Sequence, residues 1–362
     1  MLAILTNKTM EIFLDIGASS LIGLFCGLPA LWIAKRTGLI DIPRRSAHKL
    51  HARPTPLAGG ILLTFSLIIL VPVFGLMQEP ISNVLFAGII VFLFGLWDDI
   101  KGLSAPQKFV GQFIASILLI TSDYSVRFLS NMNISFLDPH IKALLDWGIT
   151  ILWFVGITNA FNLIDSMDGL AVGVAGVGFT TFMALALNSQ QIALAGFSAI
   201  LVGVCGGIYI YNRSPARLFL GDAGAQTLGF ILAAVAMIYT PLESIPQGSS
   251  WFVPIIILGY PIFDTTLVVI SRIRHHKPVF SADRHHFYHR LCLLGLTQNK
   301  SVLMIHMISL LLGVVGAIAL YQPPFWANTI LVVTLVVSLL SIVYLEFKIP
   351  SGASGEKKSP SI

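Results

Sequence analysis

Polar residues interrupt this chain at long intervals. Between them run apolar blocks of the length a helix needs to cross a lipid bilayer, about 20 residues. Eleven such blocks are readable, near Phe13–Ala34, Pro56–Met77, Val84–Trp97, Gln107–Thr121, Ala143–Thr158, Leu170–Leu187, Ile192–Tyr211, Ala223–Tyr239, Trp251–Ser271, Val302–Tyr321 and Trp326–Leu345. The pattern predicts an all-α, polytopic membrane protein of about eleven transmembrane helices. It forms one membrane domain over residues 1–349, followed at 350–362 by a short Ser/Gly/Lys tail whose composition predicts disorder.

Composition sharpens this. Of 362 residues, 56% are hydrophobic and 11% charged, where a soluble domain carries roughly 25% charged residues. A globular enzyme with a large core is excluded, the bilayer is the first expected partner, and no nucleic acid is expected. The first block opens on Glu11 and Asp15 instead of a basic segment, so it reads as a retained helix and not a cleaved signal peptide. Cys26, Cys205 and Cys292 lie far apart, without metal-ligand or redox spacing, and read as small apolar fillers. Cytoplasmic loops retain Lys and Arg. With eleven crossings, nineteen of the 22 basic residues fall on one side, and Lys8, Arg127 and Lys142 fall opposite. The N-terminus is therefore expected outside, in the periplasm, and the C-terminus in the cytoplasm.

A few polar residues stand out at the block ends. In FLFGLWDDIKG, Asp98 and Asp99 lie side by side where an apolar block stops, although adjacent carboxylates repel and are costly to bury without a cation or hydrogen bonds. NAFNLIDSMDGL places Asn159, Asn162, Asp165 and Asp168 at the opening of the sixth block, and FLGDAGA places Asp222 at the opening of the eighth. PIFDTTLVVISR carries Asp264 and Arg272, and SADRHHFYHR, with Arg284, His286 and His289, follows in the largest cytoplasmic loop. Taken singly, Asn162, Asp168 and Asp222 read as helix caps. Lys108 and Arg217 read as interfacial charges, and His48, His275 and His276 as solvated or touching headgroups. Asp98 and Asp99 resist this, because a cap needs one carboxylate. Five such segments converge on one face of the membrane, too many for five independent caps. Acids and amide oxygens ringed by basic residues suit a hard divalent cation holding a phosphorylated substrate, with Lys, Arg and His neutralising the remaining phosphate charge. Lys101 and such an assembly are the expected positive partners of the doubled aspartate. The membrane setting predicts that one substrate is a lipid.

The motifs DDIK, NAFNLIDSMDGL, FLGDAGA and FSADRHHFYHR, with DIPRRSAHKLHARPTPLAGG before them, resemble those of the polyprenyl-phosphate N-acetylhexosamine-1-phosphate transferases, which include the WecA, TagO and MraY types. The likeness runs in order from Asp41 to Leu296 and is nearest to the WecA/TagO branch. It implies an enzyme of the bacterial inner membrane with its active site on the cytoplasmic face. Such an enzyme moves a sugar 1-phosphate, N-acetylglucosamine 1-phosphate being the first choice, from a UDP-sugar to undecaprenyl phosphate and releases UMP. This is the first membrane step of a cell-envelope polysaccharide. Magnesium is the implied cofactor, with manganese as a substitute, and a homodimer is the one protein assembly considered.

The resemblance also implies roles. Asn162 and Asp222 match metal ligands, and Lys101 matches a pyrophosphate contact. Asp98 or Asp99 matches the group that activates or deprotonates the lipid phosphate. Asp165 and Asp168, with Asn159, fall in the nucleotide segment. Asp264, Arg272, Arg284, His286 and His289 fall where the last loop meets substrate, and Lys49 and His51 of the first loop join the substrate-binding set. The chain departs from the family in two places. His286-Phe-Tyr-His289 replaces a His-x-His-His pattern, so Tyr288 stands where a histidine is usual, and the first loop is about two residues longer between Asp41 and His51. MraY-like transfer of phospho-N-acetylmuramoyl-pentapeptide is the runner-up. A transporter is the alternative from another class, disfavoured because transporters place their polar residues near the bilayer midplane, usually in internal repeats.

Overall fold

A computed structural model describes residues 2–43, 53–132, 136–242, 245, 250–278 and 286–348. Lys49, His51, Arg284 and the 350–362 tail lie outside the described residues. In chain order the helices are α1 (Leu2–Thr37), α2 (Gly59–Val73), α3 (Ile81–Lys101), α4 (Ala105–Thr121), α5 (Pro139–Ile164), α6 (Leu170–Asn188), α7 (Ile192–Asn212) and α8 (Gly221–Ile238). Then follow α9 (Val253–Ile257), α10 (Gly259–Arg274), α11 (Phe287–Leu293), α12 (Gln298–Leu320) and α13 (Pro324–Lys348). Two short strands, β1 (Ile40–Asp41) and β2 (Thr55–Pro56), pair antiparallel with Ile40 opposite Pro56 and Asp41 opposite Thr55.

Eight helices among the described residues, α1, α3, α5, α6, α7, α8, α12 and α13, are long and apolar enough to cross a membrane. The protein is an all-α, multi-pass membrane protein. The other three expected crossings take different forms. α2 is a 15-residue helix. It closes on Gly75, at φ 67°, with Gly75 N–H donating to Pro72 O (3.0 Å) and Leu76 N–H to Val71 O (2.9 Å), the hydrogen-bonded stop that a left-handed glycine permits. α4 has 17 residues and carries Lys108 and Gln112. The Trp251–Ser271 block breaks at Leu258 into α9 and α10. Pro261 has no N–H to continue a helix from α9, but in the first turn of α10 that loss is tolerated.

The middle of the bundle is α8, most of whose residues are buried and which packs on α2, α3, α5 and α6. Its first turn is held at very close range. A Cβ on Gly95 of α3 would fall 2.6 Å from Ala223 Cα, and one on Gly60 of α2 would fall 2.7 Å from Ala223 Cβ. Only glycine allows three backbones so near one another. The segment entering α8 also satisfies the start of α2. Ala58 and Gly59 N–H donate to Phe219 O (3.2 and 3.0 Å) and Gly60 N–H to Leu220 O (3.1 Å), while Phe219 N–H donates to Pro56 O (2.9 Å).

Candidate active site

The end of α3, the start of α4 and the start of α8 meet, and there the doubled aspartate divides its work. Asp99 reaches across to α8, where Oδ1 accepts from Asp222 N–H (2.8 Å) and Oδ2 from Ala223 N–H (3.1 Å). It thus fills the positive N-terminal end of a helix that is not its own. Gly221, at φ 69°, makes room for it, since a Cβ there would lie 2.6 Å from Asp99 Oδ2. Asp98 is buried. Its Oδ1 accepts from Leu103 N–H (2.6 Å), and its Oδ2 is paired with Lys108 Nζ. Lys108 Nζ also lies 2.6 Å from Asp222 Oδ2, so one ammonium bridges Asp98 and Asp222.

Lys108 is therefore a site residue and not the interfacial charge its sequence position implies. Lys101, the expected partner, is exposed at the end of α3 and pairs with neither aspartate. One turn further along α4 and α8 lies an amide layer. Asn159 Nδ2 donates to Gln112 Oε1 (2.7 Å) and to Val155 O (2.7 Å), and Gln112 Nε2 donates to Gln226 Oε1 (3.0 Å). Asn159 thus belongs to the floor of the site, with its amide nitrogen already used.

The turn between α5 and α6 borders this layer. Gly169, at φ 78°, lets the chain reverse, and its N–H donates to Asn212 Oδ1 (3.0 Å) at the end of α7. Asn212 Nδ2 donates to Leu218 O (2.9 Å), and Asp168 Oδ2 accepts from Ala216 N–H (3.0 Å). Asp168 and Asn212 together lash the turn to the segment that leads into α8. Asn162 and Asp165 keep their side chains free of hydrogen bonds to any described residue. Asp165, just past α5, has its carboxyl pushed up to about 8 by burial and by the charges of Asp222, Asp99 and Asp168.

The last loop returns onto the first half of α10. Asp264 is fully buried, and both its oxygens are taken, Oδ2 by His286 Nδ1 (2.7 Å) and Oδ1 by Phe287 N–H (2.7 Å). Its carboxylate thus ties the start of the loop's helix to α10. Tyr288 is buried, with its hydroxyl 2.6 Å from His289 Nε2 and its ring stacked on His286. Arg272 is buried on α10. Sequence reasoning passed over Gln112, Gln226, Asn212 and the Arg290–Glu346 pair of α11 and α13. The readable signal was a polar residue inside an apolar helix, a functional candidate by default in a membrane protein.

Among the described residues no three His, Cys, Asp or Glu side chains gather at metal-binding range. The donors at the α3–α4–α8 meeting are nonetheless all oxygens, with more carboxylates than cations. That set fits magnesium, which takes few protein oxygens and completes its shell with water and phosphate.

Residues 81–240 match the model of glycosyl transferase family 4. The chain is 32% identical over 91% of its length, and 88% of the relative's, to the "Probable undecaprenyl-phosphate N-acetylglucosaminyl 1-phosphate transferase" of Bacillus subtilis (strain 168). It is 29% identical to the decaprenyl-phosphate N-acetylglucosaminephosphotransferase of Mycobacterium tuberculosis (strain CDC 1551 / Oshkosh), over 80% of this chain and 78% of that one. It is 31% identical to the phospho-N-acetylmuramoyl-pentapeptide-transferase of Bacillus velezensis, over 75% and 86%. The fold and these relatives together define a membrane-embedded phosphotransferase acting on a polyprenyl phosphate. The chain belongs to the polyprenyl-phosphate N-acetylhexosamine-1-phosphate transferases of glycosyl transferase family 4.

Proposed function

We propose that the protein transfers N-acetylglucosamine 1-phosphate from UDP-N-acetylglucosamine to undecaprenyl phosphate at the cytoplasmic face of a bacterial inner membrane. A phosphate oxygen of the lipid forms a bond to the phosphorus that bears the sugar, and the bond from that phosphorus to the bridging oxygen breaks, releasing UMP. The observation that carries this reading is the surplus, among the described residues, of carboxylates around one lysine, Asp98, Asp99, Asp165 and Asp222 against Lys108, at the end of the bundle. The distribution of basic residues supports a periplasmic N-terminus and a cytoplasmic site.

Asp222 and Asn162, with Asp165 beside them, would hold magnesium or manganese. The ion would neutralise pyrophosphate charge as it develops. Asp98 is the stronger candidate to take the proton of the lipid phosphate, because its Oδ2 is held by a lysine side chain that can turn away, whereas both Asp99 oxygens are held by the backbone of α8. Lys108 would keep Asp98 ionised and turn toward phosphate once the cation neutralises Asp222. His286 and His289, with Arg284 and Arg272, would meet the donor's phosphates, and Lys49, His51 and Lys101 would supply further positive charge from the loops. The test is purified protein with undecaprenyl phosphate and a panel of UDP-sugars, including the N-acetylmuramoyl-pentapeptide, with mass spectrometry of the lipid product. A product carrying the pentapeptide alone would replace this reading with the MraY-like one, and no product from any donor would remove both.

A further inference from the structure

Over most of its length α13 faces outward. Its buried residues are Ala327, Ile342, Leu345 and Glu346, three of them close to its end. There Ile342 and Leu345 pack on Leu267 of α10, with Phe263 and Phe287 against them. Glu346 is the surprising member, because a buried carboxylate on an apolar membrane helix is costly unless paired. It is paired twice. Oε1 takes Arg290 Nη2 of α11, and Oε2 lies 3.7 Å from Arg274 Nη1 at the end of α10. Arg290 Nη1 also donates to Leu345 O (2.8 Å), and its Nη2 to Ser271 Oγ (3.3 Å). One carboxylate therefore ties together the ends of three helices.

The helix that gains most is α11. At seven residues it is too short to hold itself, so its orientation is set from outside. Asp264 fixes its start through His286 and Phe287, and Glu346 fixes its far end through Arg290. Between the two clamps lies His289. We propose that Glu346 is a positioning residue of the active site: by holding Arg290 it sets where α11 presents His289 to the phosphates of the nucleotide sugar. This rests on the reading, above, that the His286–His289 segment meets that donor.

Buried ion pairs give a clear test, because removing one partner strands the other charge while removing both strands none. In Glu346→Met and in Arg290→Met, KM for UDP-N-acetylglucosamine should rise about ten-fold, with kcat at saturation and KM for undecaprenyl phosphate within about two-fold of the parent. The double variant Arg290→Met/Glu346→Met should fall well short of the product of the single effects, the mark of coupled residues. Peptide-level hydrogen exchange supplies a readout independent of activity. Amides of Phe287–Leu293 should exchange faster in either single variant and slow again in the double, with α8 unchanged. If the methionine variants fail to fold, Glu346→Gln gives the same comparison in milder form. Unchanged exchange in α11 would overturn the proposal, as would faster exchange with no change in KM for the nucleotide sugar. A parent protein inactive on UDP-N-acetylglucosamine would overturn the proposed function, while the exchange measurements would still decide whether Glu346 holds α11.

Discussion

Two charged corners of this protein are built on opposite principles. Where α10, α11 and α13 meet, the ionic groups close on one another: Asp264 on His286 and a backbone N–H, Glu346 on Arg290 and Arg274. Where α3, α4 and α8 meet, Lys108 serves both Asp98 and Asp222, Asp99 is satisfied only by the end of a helix, and Asp165 nearby has no partner among the described residues. The carboxylates of the first corner are answered by cations and a backbone N–H of the protein, and they hold α11 in place. The second holds negative charge that no described residue neutralises, which is why the proposed function places a cation and an anionic substrate there. The lesson is that counting charged residues does not locate such a site, whereas asking which network remains open does.

The strongest test of this contrast is Asp222→Ala. It should lower turnover about a thousand-fold at any magnesium concentration, near the upper range for losing one electrostatic group at a reacting centre. UMP release would measure it, and chelation of divalent ions should stop the parent enzyme with manganese restoring it. A folded Asp222→Ala enzyme working near the normal rate would break the comparison outright.

Lys108→Met comes next. With the bridge gone, Asp98 and Asp222 confront each other, and the metal-free protein should lose about 2 kcal/mol, less than a fully buried pair because the Lys108 side chain is 25% exposed. Added magnesium should then raise the unfolding temperature more in the variant than in the parent. Equal responses would mean that lysine and cation do not share the same charge surplus.

Asp98→Asn and Asp99→Asn should separate chemistry from architecture. Asp99→Asn should cost about 1–2 kcal/mol of stability, the loss of an anionic cap on α8. Asp98→Asn should leave stability nearer the parent and reduce kcat at saturating substrates. Equal and mild effects in both would assign the pair a shared electrostatic role.

The effect expected at Asp165 depends on pH, and its sign follows from proton linkage. Its carboxyl titrates at about 8 in the folded, metal-free protein and in the ordinary carboxylate range when unfolded. Between those values the folded state holds the extra proton, so the residue's contribution falls as pH rises and is fully unfavourable above about 8. In the presence of chelator, Asp165→Asn should therefore unfold later than the parent at pH 9 and by a much smaller margin at pH 5. A difference that shrinks as pH rises would contradict this sign.

Tyr288→Phe should have the least effect, about 1 kcal/mol, for the hydrogen bond to His289. His289→Ala should cost more, because it removes a group able to carry charge beside phosphate. Complete inactivation by Tyr288→Phe with His289→Ala unimpaired would reverse the order of importance in this loop.

Much of this was legible before the structure. Long apolar blocks gave the helical membrane fold, and DDIK, NAFNLIDSMDGL and GDAG marked the segments that meet. The choice between Lys101 and Lys108 was not legible. Gly102, at φ 70°, ends α3, and the reciprocal Ser104–Gln107 cap starts α4, so the chain doubles back. That reversal leaves Lys101 outside and returns Lys108 to Asp98, a consequence of three-dimensional hairpin geometry that spacing cannot express. Asp99 was hidden for a similar reason, because capping a helix 123 positions away leaves no local pattern. The broken ninth block was partly visible in Pro254, Gly259 and Pro261, whose apolar surroundings concealed the interruption.

The amide layer has a consequence for how the chain is made. Gln112 on α4 finds its partner on α8, 114 residues later, and Lys108 waits equally long for Asp222. While the ribosome is still adding the intervening helices, α4 carries an ammonium held only by Asp98 of α3 and a carboxamide that must wait for Asn159 of α5 and then for α8. A segment in that condition gains little from entering hydrocarbon alone. Its final depth is therefore expected to be reached only after α8 has emerged, which makes biogenesis of this protein sensitive to the order and timing of insertion, and polar substitutions on α8 capable of leaving α4 stranded at the membrane surface.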